Sequence, residues 1–169
     1  MPVRKFLAAM VLTLGAALPA AAAELRDFGG EPRGLDEFRG QGKWLVVMIW
    51  ASDCHVCNQE IGGYVKLHDQ GSHPSIQLLG ISLDGDERVL DAEAFLERHA
   101  VSFPNLIGEP REVMLLYQRL TGAGFRGTPT FMVFAPDGEI EAAQAGGVPT
   151  KVVLDFIQSH SRTPPTAAN

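Results

Sequence analysis

The chain has two cysteines, Cys54 and Cys57, and the two residues between them leave the sulfurs close enough to form a disulfide. An apolar run over residues 44–50 precedes the pair, and a stretch with helical spacing of apolar residues follows it. A Cys-x-x-Cys motif at such a strand-to-helix junction places the first sulfur at the positive end of the helix, where a thiolate is stabilised. The second sulfur lies one turn further on. We therefore expect a dithiol that cycles with its disulfide.

Two other interpretations of the cysteine pair are a zinc half-site and an inert internal bridge. A structural zinc ion normally takes four ligands and often draws them from a second pair of cysteines. The sequence contains no further cysteine. The redox interpretation is favoured for that reason.

Ionisable residues flank the first cysteine on both sides. Protonated His55 would stabilise a Cys54 thiolate, whereas Asp53 would oppose it. Two unit charges about 4 Å apart in water interact by about 1 kcal/mol, so the two effects could nearly cancel. A neutral histidine contributes little near pH 7, and the sequence does not predict a strongly oxidising potential. His55 is equally well explained as a solvated first-turn residue, and Asp53 as a helix N-cap.

The N-terminal segment indicates export from the cytoplasm. Two basic residues precede an apolar stretch over residues 6–18 that ends in a run of alanines. Ala21 and Ala23 fit a signal-peptidase site, so we predict a signal peptide over residues 1–23. An uncleaved membrane anchor is the alternative, but the apolar core is shorter than the roughly 20 residues that a transmembrane helix needs.

Charge and length limit the class of protein. Cleavage after residue 23 would remove two positive charges and no negative ones, taking the formal net charge from −6 to −8. An acidic chain of this kind lacks the basic stripe expected of a nucleic-acid-binding protein. The remaining length suffices for one domain with a hydrophobic core, and two cysteines are too few for a disulfide scaffold. Packing must therefore supply the stability.

Hydrophobic patterns predict strands alternating with helices, followed by a hairpin and a last helix. The predicted strands span residues 44–50, 75–83, 130–134 and 139–143, and the predicted helices residues 55–68, 89–100, 111–120 and 149–160. Pro136-Asp137-Gly138 predicts the hairpin turn. This order indicates an α/β fold with a mixed central sheet flanked by helices on both faces. We expect one domain over residues 24–160 and a disordered tail over residues 161–169.

The order of these features resembles the thioredoxin fold, and within it the extracytoplasmic branch related to TlpA, ResA and the cytochrome c maturation thioredoxins. The resemblance covers about residues 25 to 160. Three stretches carry it: the one from Gly42-Lys43-Trp44 through Trp50-Ala51-Ser52-Asp53-Cys54-His55-Val56-Cys57, then Ser102-Phe103-Pro104, and Gly127-Thr128-Pro129-Thr130-Phe131 ahead of Pro136-Asp137-Gly138. A Cys-x-x-Cys followed some seventy residues later by Gly-Thr-Pro-Thr is specific, because the fold places that proline beside the dithiol.

The resemblance implies roles for residues around the motif. Cys54 would be the attacking thiol and Cys57 the buried resolving thiol. Pro129 matches the cis-proline of the fold, and Thr128 before it would offer backbone hydrogen bonds to a docking client. Trp50 could flank the cysteines, although a core position is the simpler interpretation.

The chain departs from its relatives at several positions. Asp53 stands where most thioredoxin-like proteins have an aromatic residue, and His55-Val56 replaces a pair that often contains proline. The buried aspartate of thioredoxin itself would fall near Met48, so that proton acceptor is missing. Glu60 matches a glutamate that ResA-like proteins hold near the dithiol, and it is our candidate for proton management. The alternative is that Glu60 is an ordinary solvated helix residue.

The function implied is that of a periplasmic thiol-disulfide oxidoreductase, acting as a reductant of secreted or cytochrome-type clients and re-reduced by a membrane electron donor. No cofactor beyond the Cys54–Cys57 disulfide, no bound metal and no nucleic acid is expected. We expect a monomer, because dimeric isomerases of this fold add a dimerisation domain that no spare segment here could supply.

Three alternatives stay open at this stage. The first is a periplasmic dithiol oxidant. The second is a copper carrier like the Sco-type chaperones, with His68 and His73 as possible further ligands, although those proteins have a wider Cys-x-x-x-Cys spacing. The third is a peroxidase on the same fold, which would want a lone reactive cysteine near a threonine and an arginine, and Cys57 at this spacing speaks against it.

Overall fold

The structure, a computed structural model, describes residues 25–161. The strands are β1 Leu25–Asp27, β2 Pro32–Arg33, β3 Trp44–Trp50, β4 Ile76–Ser82, β5 Asn105–Ile107, β6 Thr130–Phe134 and β7 Ile140–Ala145. The helices are α1 His55–Asp69, α2 Val89–Arg98, α3 Pro110–Thr121 and α4 Thr150–Ser161, with a 3-10 turn at Leu35–Glu37. The predicted signal peptide over residues 1–23 lies outside the described residues, as do residues 162–169 of the predicted tail. Ser161 is the last residue of α4.

One mixed sheet contains all seven strands, in the order β2-β1-β5-β4-β3-β6-β7. The strands β3, β4 and β5 run parallel to one another. Antiparallel pairing joins β6 to β3, β7 to β6, and β1 to β5. The predicted mixed α/β sheet is confirmed, and each predicted helix and strand is present with its ends shifted by no more than a few residues.

The central strand β3 is buried along its whole length because helices cover both faces of the sheet. Its even-numbered side chains, from Trp44 to Trp50, pack with apolar residues of α1, α2 and α4. Its odd-numbered side chains, from Leu45 to Ile49, pack with residues of α3 and the 3-10 turn. This alternation is the two-residue period of a strand, and it explains why the sequence of β3 is apolar without interruption. Helices on both faces are thereby confirmed.

The topology brings distant parts of the chain to one edge of the sheet. The parallel strands β3 and β4 end at this edge, where residues 51–54, called the dithiol loop below, lead into α1, and residues 83–88, the β4–α2 loop, lead into α2. Because β6 is antiparallel to β3, it begins at the same edge, directly after residues 127–129. Within residues 25–161, no helix has the length and apolar character needed to span a bilayer.

Candidate active site

Cys54 and Cys57 form a disulfide at the start of α1, with their Cα atoms 5.2 Å apart. Cys54 is the N-cap residue of this 15-residue helix, and its Sγ accepts a hydrogen bond of 3.1 Å from the backbone N–H of Cys57. The positive end of the helix dipole and this N–H both favour negative charge on the Cys54 sulfur once the disulfide is reduced. The alternative that Asp53 caps the helix is wrong, because the cap is Cys54 itself.

The two sulfurs differ in their access to solvent. Cys57 is fully buried, with 0% of its surface exposed, and it packs in the core cluster that contains Trp50 and Ile61. Cys54 is half-buried at the edge of the same cluster. A reagent or a client from outside can therefore reach Cys54, while Cys57 is restricted to reaction with its neighbour.

The buried carboxylate of Asp84, in the β4–α2 loop, binds the dithiol loop through hydrogen bonds with Ser52. Its Oδ2 accepts hydrogen bonds from the backbone N–H of Ser52 at 2.9 Å and from the hydroxyl of Ser82 at 2.8 Å, and its Oδ1 accepts one from the hydroxyl of Ser52 at 2.9 Å. The Asp84 side chain has no exposed surface. Three donors compensate the cost of burying this carboxylate, and the two that belong to Ser52 fix the position of that residue.

Arg88, at the end of the same loop, connects it to the residue before the first cysteine. Its guanidinium donates to Asp53 Oδ2 at 2.8 Å, to the Ser52 hydroxyl at 2.9 Å and to Asp91 Oδ2 at 3.2 Å, and it lies 3.6 Å from Asp84 Oδ1. The hydrogen bonds to Asp53 and then Asp91 are the main reasons why the pKa of Arg88 is raised. One guanidinium therefore joins three carboxylates beside the disulfide.

Asn58 holds the dithiol loop from the helix side. Its side-chain amide donates to the backbone carbonyl of Cys54 at 2.8 Å, and its Oδ1 accepts from Nε2 of His99 at 2.8 Å. The His99 ring packs against Phe95, with 4.7 Å between ring centroids. Burial and the positive charge of Arg98 lower the pKa of His99, so the ring is neutral near pH 7 and Nε2 carries the proton that it donates.

Trp50 lies behind the disulfide and has no exposed surface. Its indole Nε1–H donates to Asn105 Oδ1 at 3.0 Å, and its ring stacks on Phe95 with 4.3 Å between ring centroids. A docked client cannot touch Trp50 in this conformation. The structure thus places Trp50 in the core that supports the cysteines, rather than on the surface that a client would meet.

The peptide bond between Thr128 and Pro129 is cis, the isomer that the resemblance implies. The carbonyl of Pro129 accepts a hydrogen bond of 2.7 Å from the N–H of Gly146, which ties this loop to the end of β7. Thr128 is half-buried, and it lines an open cleft of about 390 Å³ together with Asp53 and Arg88. The structure therefore brings the threonine and the dithiol loop together around one cleft.

The two remaining candidates lie on the first turns of α1. His55 is exposed, and its Nε2 lies 3.1 Å from the side-chain nitrogen of Gln59. Glu60 is half-buried and faces Gly147, because a Cβ built on that glycine would lie 3.0 Å from Glu60 Oε1. Burial and, second, the charge of Glu60 raise the pKa of Tyr64, one turn further along the helix.

Metal-ligating side chains do not converge in the part of the chain that the structure describes. Over residues 25–161, no three His, Cys, Asp or Glu side chains are grouped so that they could hold a metal ion. His68 and His73 are both exposed, and the ring of His68 packs edge-on against Phe103. The copper-carrier alternative gains no support from this arrangement.

Sequence analysis did not find four of the residues that build the site. Asp84 directly follows a predicted strand and His99 lies within a predicted helix, but neither of them, nor Arg88 or Asn58, was singled out as a site residue. Only Asn58 has a usable signal, since it follows the second cysteine directly. The other three lie 30 or more residues from the dithiol loop, and the fold alone brings them to it.

Comparison with known proteins agrees with this geometry. A model of the AhpC/TSA family matches residues 15–143. The chain is 28% identical over 134 residues to the thiol-disulfide oxidoreductase ResA of Halalkalibacterium halodurans, which covers 79% of this chain and 70% of that protein. It is also 34% identical over 127 residues to alkyl hydroperoxide reductase C of Mycobacterium tuberculosis, which covers 70% of this chain and 65% of that protein.

A solved structure gives the corresponding match in three dimensions. The thioredoxin-related protein from Neisseria meningitidis serogroup B superimposes with a TM-score of 0.63 and 25% sequence identity, covering 82% of this chain and 100% of that chain. The thioredoxin fold predicted from the sequence is thereby confirmed.

Proposed function

Because the chain belongs to the AhpC/TSA family and, like the ResA proteins that it is similar to, is a thiol-disulfide oxidoreductase, we propose that it works in the periplasm as a reductant of client proteins. The observation that carries the proposal is the unequal burial of two bonded sulfurs at a helix N-terminus. Cys54 is half-buried at the N-cap, and Cys57 is wholly buried behind it. This is the arrangement that an attacking and a resolving thiol require.

The proposed reaction has two exchange steps. In the reduced protein, the Cys54 thiolate attacks one sulfur of a client disulfide, the client S–S bond breaks as a mixed disulfide forms, and the other client sulfur leaves as a thiolate that takes up a proton. The Cys57 thiol then loses its proton and attacks Cys54 Sγ. The mixed disulfide breaks, the second client sulfur takes up a proton, and the Cys54–Cys57 disulfide forms. Two electrons have passed to the client.

Further residues receive roles within this scheme. The backbone of Thr128, next to the cis bond, pairs with an extended client segment lying in the adjacent cleft. Glu60 accepts the proton of Cys57, since residues three apart on a helix share a face and Glu60 is half-buried. His55 and Asp53 adjust the stability of the Cys54 thiolate from either side.

The cellular setting belongs to the same proposal. A signal peptide over residues 1–23 directs the protein to the periplasm, where a membrane electron donor reduces it again. The protein acts as a monomer, and the Cys54–Cys57 disulfide is its redox group, with no further cofactor. The apolar stretch over residues 6–18 supports export. The reducing direction is what the resemblance to the TlpA and ResA branch implies.

The test uses residues 24–169, the chain without the proposed signal peptide. The protein is expected to catalyse reduction of insulin by dithiothreitol, and the Cys54→Ala variant is expected to lose this activity. A titration of the cysteine pair against dithiothreitol gives the direction, because a potential of about −270 mV indicates a reductant and one of about −120 mV an oxidant. Cys57→Ala should retain clients as mixed disulfides on Cys54, with the double alanine variant as the matched control. Absence of insulin reduction by the unmodified protein contradicts the proposal.

A hydroperoxide reductase is the second candidate, and the similarity to alkyl hydroperoxide reductase C favours it. In that reaction the Cys54 thiolate attacks the peroxide, the O–O bond breaks, an alcohol leaves and a sulfenic acid forms on Cys54. Cys57 then condenses with the sulfenic acid, water leaves and the disulfide forms. Stopped-flow mixing of the reduced protein with cumene hydroperoxide, or with insulin whose disulfides are intact, decides between the two functions. The substrate class of the protein should oxidise the Cys54–Cys57 dithiol faster.

A further inference from the structure

A negative charge stands next to the attacking sulfur. Asp53 directly precedes Cys54, and its carboxylate remains 66% exposed at the mouth of the cleft. A carboxylate in this position disfavours the thiolate on which exchange depends, because like charges repel. The helix N-terminus alone would have to overcome this effect if nothing neutralised Asp53.

Arg88 supplies the neutralising charge from a different part of the chain. Its Nη1 donates to Asp53 Oδ2 at 2.8 Å, which is a charge-assisted hydrogen bond at a site where the guanidinium itself is 40% exposed. Three other oxygens hold the guanidinium in place, those of Ser52, Asp91 and Asp84 at 2.9, 3.2 and 3.6 Å. Ser52 and Asp84 thus anchor the guanidinium, and its Nη1 lies against the exposed carboxylate of Asp53.

We propose that Arg88 is a positioning residue for thiol-disulfide exchange, which acts by cancelling the charge of Asp53 and so preserves the reactivity of Cys54. The inference rests on the proposed function of Cys54 as the attacking thiol. Arg88 does not need to contact the client, since its effect reaches the sulfur through Asp53. Of the other ionisable side chains close to the motif, His55 contacts Gln59 and Glu60 faces Gly147, both on the α1 side. Glu87 and Glu109 line the same cleft as Arg88, and their carboxylates cannot take the place of its positive charge.

A purely mechanical role for Arg88 makes a different prediction. If the guanidinium only braced the loop through Ser52 and Asp84, its removal would impair Cys54 whether or not Asp53 carried a charge. If the guanidinium acts by neutralisation, removal of the Asp53 charge as well should restore the rate that was lost with Arg88. A double-mutant cycle between Arg88 and Asp53 separates the two roles.

The experiment measures the rate at which iodoacetamide alkylates Cys54 at neutral pH, in a Cys57→Ala background that leaves one thiol. We expect Arg88→Gln to slow alkylation by about three- to tenfold, the effect of one uncompensated charge near the sulfur in water. Asp53→Asn with Arg88→Gln should return the rate to within about twofold of the parent. In about 1 M salt the slowing by Arg88→Gln should shrink, because screening weakens charge effects but not mechanical ones.

Two further variants keep the test decisive if Arg88→Gln does not fold. Arg88→Lys retains the charge and should alkylate within about twofold of the parent rate. Asp53→Asn alone should be at least as fast as the parent, so a slower rate overturns the inference. Arg111→Gln, which removes an equally positive side chain that is 84% exposed on α3, is the matched control and should leave the rate unchanged.

Failure of this inference is distinguishable from failure of the proposed function, because alkylation needs no client. A double variant that remains as slow as Arg88→Gln overturns the inference even when the unmodified protein reduces insulin. An unmodified protein that does not reduce insulin contradicts the proposed function even when the charge dependence of alkylation is as expected.

Discussion

Replacement of Gly80 by alanine should disrupt the packing directly behind the active site. Gly80 is a buried residue of β4, and a Cβ built on it would lie 1.7 Å from Asn105 Oδ1 and 2.9 Å from Trp50 Nε1. Real side chains do not approach so closely, so the Asn105 amide must move. Its movement breaks the 3.0 Å hydrogen bond through which Asn105 accepts from the Trp50 indole.

The expected loss of stability follows from these two effects. Forcing an extra methyl group into a packed core costs about 1 to 3 kcal/mol. Leaving the buried Trp50 N–H without its hydrogen-bond acceptor costs about another 1 to 3 kcal/mol. Gly80→Ala should therefore lower the free energy of unfolding by about 2 to 6 kcal/mol, a large fraction of the roughly 5 to 15 kcal/mol that stabilises a typical domain.

The chain offers a matched control in Gly62→Ala. Gly62 lies inside α1, and a Cβ built on it would meet no other atom within 4 Å. Alanine should stabilise this position by about 0.5 to 1 kcal/mol, because glycine loses more conformational freedom in a helix. The same substitution thus has opposite signs at the two sites.

Chemical denaturation of the disulfide form of each variant, followed by circular dichroism, measures both effects. Equal slopes against denaturant concentration allow the free energies of unfolding to be compared directly. A loss below about 1 kcal/mol for Gly80→Ala would show that Asn105 and Trp50 rearrange without cost, and it would refute the reasoning.

Two other substitutions test the hydrogen bonds around the site. Asp84→Ala leaves the donors of two serines without their carboxylate and should cost about 2 to 4 kcal/mol in a denaturant titration, whereas Asp84→Asn, which keeps the shape, should cost less than half of that. Tyr64→Phe removes the 2.6 Å hydrogen bond to the Val148 carbonyl and should cost about 1 to 2 kcal/mol. Burial raises the pKa of Tyr64, so its contribution to stability is complete below the unfolded pKa of about 10 and is lost as the pH rises above it. Melting temperatures between about pH 8 and pH 11 should therefore fall less for Tyr64→Phe than for the unmodified protein.

The long elements of the fold could be predicted because their patterns extend over several periods. Seven consecutive apolar residues define β3, and apolar residues at helical spacing define α1 and α4. The strands β1, β2 and β5 were not predicted, since they have only two or three residues each. So short a segment shows no period, and pairing with a neighbouring strand is what makes it a strand.

The residues of the site likewise fall into those that a local motif predicts and those that only the fold brings together. Cys54, Cys57 and Pro129 could be located from local motifs, and the structure places all three at one edge of the sheet. Asp84 and Arg88 could not, because a Ser-Leu-Asp-Gly-Asp sequence predicts a turn equally well with or without a partner for its carboxylate. Their role depends on the pairing of β4 beside β3, which brings the two following loops together.

Both tryptophans of the chain lie on β3, at its two ends. Trp50 shares the core cluster of Cys57 and stacks on Phe95, whereas the indole of Trp44 donates to the hydroxyl of Ser161. Six residues of extended strand separate them by about 20 Å. A disulfide quenches the fluorescence of a nearby indole, so we expect reduction of the Cys54–Cys57 bond to brighten the emission of Trp50, which shares the core cluster of Cys57, more than that of Trp44. Intrinsic tryptophan fluorescence should therefore report the oxidation state of the cysteine pair during turnover, without an attached dye.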